Sequence, residues 1–313
     1  GPAAHAGASV LYAPEPATRA AGRRGRGGDA GTNPAFGLTI DYMLDSDTKD
    51  VALTIKDYDG NVVRRFVPKG EGEKNEYAAQ RDDVLPSGEG YHRFTWNMRA
   101  EGAESFDDMI LWSGGMGGPK VPPGRYRIEL SVDGETVDVG AIIEADPRSD
   151  ATTMDIVRQY RFAMETGATL TRAHRAIRDL RAAREDLNAL KGRMADAEGE
   201  AADALRQRME DALATMKSVE EALYQTKNRS RQDPLNFPIR LTDKLSGVRS
   251  GAMSGEFGPT DQMNAVAAEL TERIDAELAR LQPVFANELR AIDAEARAME
   301  LPLVTIPDTA IGE

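Results

Sequence analysis

At Asp146-Pro147 the hydrophobic pattern of this chain changes period. Residues 37–146 alternate apolar and polar, as a strand with one buried face requires. "LTIDYML", "VALTIKD", "VVRRFV", "YHRFTWN", "RYRIELSV" and "TVDVGAIIEA" each read as strands. Asp59-Gly60 and Asp133-Gly134 are hairpin-turn dipeptides, because glycine accepts the positive φ that such turns demand. A polar loop from Pro68 to Glu89 separates two of the strands. Several short strands with no helical period predict an antiparallel β-sandwich. Trp96 alternates in phase with Phe94 and His92, so all three are expected on one face, with Trp96 in the core and His92 largely buried and neutral.

After Pro147 the apolar residues recur at three and four. Thr152 or Thr153 is positioned to cap a helix. Ile156, Tyr160, Met164, Leu170, Ile177, Leu180 and Leu187 mark a first long helix. Met194, Leu205, Met209, Leu213, Met216, Val219 and Leu223 mark a second, and the methionines read as core filler. The two are expected to form an antiparallel hairpin turning near Lys191-Gly192. Pro238 is expected to open a shorter helix through Leu241, Leu245 and Val248. Pro259-Thr260 starts a last one, and Pro283 inside it predicts a kink about one turn earlier. The fold class is therefore α+β in two domains, a β-sandwich followed by an antiparallel helical bundle. The expected boundaries are a linker over 1–35, the sandwich over 36–147, the bundle over 148–300 and an extended tail over 301–313.

The 313 residues suffice for two domains, and no run is long and apolar enough to predict a membrane span. The start, "GPAAHAGASV", lacks the charged and apolar regions of a signal peptide, so any export signal is expected outside this chain. Residues 13–35 are rich in Gly, Pro and Arg, a composition that cannot bury a core. "GRRGRGG" within it has no aromatic partners, which favours a linker over a nucleic-acid segment. "SVLYA", just before, reads as a short strand of a domain upstream. Cysteine is absent, which excludes disulfides, thiol catalysis and cysteine-ligated zinc. The net charge of −13 is uneven, with +2 on residues 1–31, −10 on 32–150, −3 on 151–300 and −2 on the tail. Nucleic-acid binding by the body is therefore not expected.

Motifs for chemistry are sparse. The three histidines, His5, His92 and His174, belong to no metal pattern and read as structural or surface residues. "DSDTKD" (Asp45, Asp47, Asp50) lacks the glycine and closing glutamate of a calcium loop and reads as turn chemistry. "WSGGMGGP" is followed by no Lys-Ser/Thr and opens no helix, which argues against a phosphate cradle. Its glycines would let a loop pass close over the sandwich with Trp112 beneath it. An exposed Trp112 would instead stack on a sugar ring, and it is the one candidate contact residue. Asp82-Asp83 and Asp107-Asp108 are adjacent loop carboxylates, not a glycosidase pair set apart across a cleft. No catalytic residue, metal ligand or cofactor is predicted.

"DYDGNVVRRF", "GYHRFTWNMR" and "VPPGRYRIELSVDG" together resemble the immunoglobulin-like module of flagellar hook-capping and secretion-sorting domains, with Asn97 where that pattern has Asp. A longer resemblance rests on "LYAPEPA…GRRGRGGDAGTNP", "FTWNMRAEGAESFDDMILWSGGMGGPKVPPGRYRI", "ADPRSDATTMDIVRQY" and "FPIRLTDKLSGV…GPT", in that order. This order is similar to the C-terminal region of large exported bacterial proteins classed as BNR-repeat, sialidase-like glycosyl hydrolases or sortilin-like β-propellers. The resemblance implies an immunoglobulin-like sandwich, an exported origin (periplasmic, cell-surface or extracellular) and a propeller upstream that would carry any catalytic pocket. It brings no catalytic residue to this chain.

Three functions are weighed. The first is a non-catalytic accessory or interaction module of an exported propeller protein, with the propeller or another protein as partner. The second is part of a glycoside hydrolase with carbohydrate contacts. The third is a structural assembly subunit that uses its helices as an interface. A reading frame with a signal peptide and propeller before Gly1 would favour the first two over the third.

Overall fold

The computed structural model describes residues 3–20, 36–48, 50–68 and 84–300. The chain is a mixed α+β protein with two sheets. It divides into two compact units. The first takes Gly1–Gly102, Gly117–Arg161 and Glu256–Gly258, and the second Ala103–Met116, Phe162–Gly255 and Pro259–Glu313.

The first unit holds β1 (Ala3–Ala6), β2 (Ser9–Tyr12), β3 (Ala17–Thr18), β4 (Leu38–Leu44), β5 (Val51–Lys56), β6 (Val62–Phe66), β7 (Gly90–Trp96), β8 (Gly124–Val132) and β9 (Glu135–Glu144). One sheet has the order β1-β2-β4-β7 and the other β3-β9-β8-β5-β6. Alternation is strict in β4, where Leu38, Ile40, Tyr42 and Leu44 are buried and the residues between are half-buried. They share one apolar cluster with Leu53, Ile55, Ile128 and Leu130 of the other sheet. The β8–β9 hairpin turns through Asp133 at φ 49° and Gly134 at φ 87°, the double positive φ of a two-residue turn. The β5–β6 connection is longer than the two residues expected. It spans 57–61, and the Asn61 N–H donates to Asp57 Oδ1 at 2.8 Å.

Trp96 is fully buried, as its phase predicts. Its Nε1–H donates to Arg99 O at 2.8 Å, and its ring is T-shaped to the Tyr126 ring with centroids 6.0 Å apart. His92 departs from expectation and is only half-buried. It sits near the start of β7, 5.2 Å from the Tyr42 ring, with Nε2 2.5 Å from Gly88 O. The linker reading of 1–35 fails over 3–18. Val10 and Leu11 supply a buried apolar pair, so β2 joins β4 (Leu11↔Tyr42) and "SVLY" belongs to this unit's own sheet. His5 is exposed on β1, paired with Val10. "GRRGRGG", Asp82-Asp83 and the 301–313 tail lie outside the described residues.

α1 (Thr153–Arg193) opens on a reciprocal cap. The Asp155 N–H donates to Thr152 Oγ1 at 3.1 Å and the Thr152 N–H to Asp155 Oδ2 at 3.1 Å. The Thr152 hydroxyl, donating to Asp155 Oδ2 at 2.6 Å, then the Arg158 guanidinium and the Thr152 N–H, hold the Asp155 carboxyl down at about 2. α1 runs past the predicted turn, and α2 (Glu200–Leu223) starts after Gly199 at φ 104°. α3 (Leu241–Ala252) begins three residues later than expected, and α4 (Asp261–Pro283) is capped by Thr260 Oγ1, which accepts the Met263 N–H at 3.2 Å. α4 stays helical through Pro283. The irregularity falls after it, as a π turn over Val284–Glu288 closed by the Leu289 N–H on Val284 O, and α5 (Leu289–Ala298) follows. In the second unit Leu170, Leu187, Met209, Met216, Ile274 and Ile292 share one fully enclosed apolar cluster.

Candidate functional site

The candidate site is Ala103–Met116, a stretch of the second unit without regular secondary structure. Such a stretch has no ladder for its backbone groups, so side chains must satisfy them. Tyr224 Oη accepts the Ile110 N–H at 2.9 Å. Asp243, in the first turn of α3, accepts the N–H groups of Trp112 at 2.8 Å and Ser113 at 2.7 Å. Ser250 Oγ accepts the Gly115 N–H at 3.1 Å. Arg249, 1% exposed, donates from Nη1 to Gly115 O at 3.1 Å and from Nε to Ala163 O at 2.9 Å. Gly114, at φ 77°, is a residue that only glycine suits. A Cβ there would stand 2.3 Å from Ser246 O. Gly114 thus serves a close approach to α3, while Gly118, in the first unit, serves one to Ala100, where a Cβ would stand 1.8 Å from the carbonyl oxygen.

The other end of the segment is anchored on α1. Glu104 accepts from Arg175 and from Arg178, and its N–H donates to Thr171 Oγ1 at 3.1 Å. The Arg175 bond, ahead of the other contributions, lowers the Glu104 carboxyl. His174 is fully buried, with Nδ1 2.6 Å from Glu104 O. A carbonyl only accepts, so Nδ1 carries the proton and Nε2 holds a bare lone pair, which meets no hydrogen-bond partner among the described residues. Burial pushes this imidazole down to about 4. Phe106 lies edge-on to His174 at 5.4 Å and to Tyr224 at 4.9 Å, under the Arg181 guanidinium at 4.6 Å.

Trp112 is 50% exposed, so it is presented on this segment and not enclosed beneath it. Its chemistry is an indole face and one N–H donor on a backbone fixed by Asp243. Asp243 is 5% exposed; burial raises its carboxyl against the opposing pull of the two N–H donors. It is therefore occupied as an anchor.

The remaining candidates stay dispersed. Asp45 accepts from Ser9 Oγ at 2.9 Å and Asp47 from the Glu89 N–H at 2.7 Å, both as loop ties. Asp107 and Asp108 are exposed turn residues. No group of three or more His, Cys, Asp or Glu suited to a metal occurs among the described residues. Two grooves lie in the second unit. One of ≈ 560 Å³ is lined by Glu165, Thr166, Thr169, Thr271, Glu272 and Asp275. One of ≈ 580 Å³ is lined by Gln207, Arg208, Asp211, Thr215, Val284 and Glu288. Trp112 lines neither.

Sequence reading found Trp112 and missed Asp243, Glu104 and Arg249. Asp243 resembles any acid in a first helical turn, and its partners lie 130 and 131 positions away. Comparison with protein-family models, with curated proteins and with solved structures gave no match for this chain.

Proposed function

We propose that this chain is a non-catalytic interaction module of an exported β-propeller protein of the BNR-repeat or sortilin-like kind. In this reading the first unit is an immunoglobulin-like β-sandwich and the second an antiparallel helical bundle. The motif order in the sequence supports the family. One structural observation supports the absence of catalysis. The buried polar groups at Ala103–Met116 hold backbone: Asp243 accepts two N–H groups of the segment, Arg249 donates to Gly115 O and to Ala163 O of α1, and His174 spends its one N–H on Glu104 O. A general acid or nucleophile has to face a substrate. Purified chain is expected to leave aryl-glycosides and sialosides intact. Turnover that disappears on substituting particular carboxylates would overturn the proposal. Co-purification of the chain with the propeller encoded upstream supports it, and a frame that encodes no propeller counts against it.

One observation favours a second reading, a carbohydrate contact. Trp112 combines a half-exposed ring with a backbone fixed at both N–H and neighbour. A backbone held in this way has less freedom to lose when the indole stacks on a pyranose. Saturable glycan binding without turnover, lost in Trp112→Ala, would establish it.

A further inference from the structure

Within the first unit, Arg99 and Lys120 lie directly opposite each other. The Ala100 N–H donates to Pro119 O at 2.9 Å and the Val121 N–H to Met98 O at 2.8 Å, framing an antiparallel bridge between the two residues. The bonds belong to the flanking residues, so Arg99 and Lys120 form a non-hydrogen-bonded pair. In that class the Cα atoms stand about 4.5 Å apart and the side chains are closest. Like charges placed so are destabilising.

A third cation joins them. Arg19, 2% exposed, donates from Nε to Val121 O at 2.9 Å. Lys120 Nζ donates to Ala20 O at 2.8 Å, and Arg99 Nη1 to Gly118 O at 2.7 Å. These carbonyls satisfy single donors and neutralise nothing. Glu256 pairs with Arg19 and its charge also acts on Lys120, while its Oε2 is buried with no hydrogen-bond partner among the described residues. Asp146, which also acts on Lys120, is held by Arg148 through two oxygens at 2.9 and 2.7 Å. Neither Arg99 nor Lys120 forms an ion pair among the described residues. Burial is the main cause that lowers the pKa of all three cations, and each also feels a neighbouring cation. The surrounding stretch 32–150 carries −10, so this concentration of positive charge runs against its setting.

We propose that Arg19, Arg99 and Lys120 form a binding site for an oxyanion, the phosphate or carboxylate group of a ligand. An oxyanion between Arg99 and Lys120 would turn their mutual repulsion into two charge-assisted contacts, and the planar guanidinium suits such a group.

Thermal melts of the whole chain, titrated with sodium phosphate and separately with sodium acetate, test this against sodium chloride of matched ionic strength. A saturable rise in Tm with phosphate or acetate, absent with chloride, is the expected result. The more effective anion names the ligand group. Lys120→Met keeps the aliphatic stem and removes the opposed charge. It should melt at least as high as the parent in chloride and lose the anion response. No saturable shift with either anion, or an undiminished shift in Lys120→Met, overturns the site. Asp29, outside the described residues, controls for a carboxylate of the chain itself. If Asp29→Asn alone acquires the anion response, the occupant is internal and the proposal fails.

Discussion

The two units bury charge differently. In the second, Glu220 is 2% exposed and accepts from Arg181 at 2.7 Å and Arg184 at 2.6 Å. Asp243 is met by two backbone donors. In the first, Arg99 and Lys120 face each other with only carbonyls as partners. The interiors differ in kind as well. The first is rich in rings (Trp96, Tyr42, Tyr126, Phe66, Phe94), and the second is mostly leucine, alanine and methionine. Helices satisfy their own backbone, so side chains of the second unit are free to hold a segment that has no ladder. An isolated antiparallel bridge outside the strands sets Arg99 opposite Lys120, and like charges so placed repel.

Four measurements test this contrast. The largest effect is expected in the aromatic core. Trp96→Ala should cost about 3–5 kcal/mol through its cavity, and it also strips Arg99 O of its donor. Denaturant unfolding reads this directly. An unchanged midpoint would mean that the ring core of the first unit does not carry its stability.

The second concerns acid. The folded imidazole of His174 lies at about 4 against an ordinary 6.5. Between those values the unfolded chain binds the proton and the folded chain does not, so stability rises with pH. The contribution is fully present above 6.5, falls as pH drops towards 4, and is flat below. Its total is about 3 kcal/mol at 1.36 kcal/mol per pKa unit. His174→Gln should flatten that part of the stability–pH curve. A slope that survives the substitution would place the acid sensitivity elsewhere.

Next comes the anchor of the exposed tryptophan. Asp243→Ala should cost about 2 kcal/mol and speed amide exchange at Trp112 and Ser113. Exchange rates that stay put would show that Gly115 and Arg249 hold the segment unaided. The smallest effect is at the surface. Trp112→Ala should change stability by no more than about 0.5 kcal/mol, since half of the ring already meets water. A larger loss in a melt would make Trp112 a packing residue and remove the carbohydrate reading.

Much of the fold was legible before any coordinates. The strand "LTIDYML" is β4 residue for residue, and Asp133-Gly134 is the turn it promised. Period two reports a buried face locally, and a turn needs only its own φ angles. The cap at Thr152 was equally local. Where the reading went astray, distant residues decided. "SVLY" reads as a strand but carries no mark of its neighbour, and only pairing with β4 assigns it to this sheet. His92 keeps the phase of Trp96, yet its place near the start of β7 leaves it half-open. Pro283 announces a lost donor without saying which side of it the helix will yield, and the π turn formed after it.

The sequence by itself determined the two periodicities, the tight turns and the helix caps, because each rests on interactions within a few residues. The tertiary structure alone decided that Asp243 would hold Trp112, that His174 would be enclosed over Glu104, and that Arg99 would oppose Lys120. Those contacts join residues up to 131 positions apart. Their energy comes from burial and from groups that have no other partner. Neither is present in a chain until it has folded.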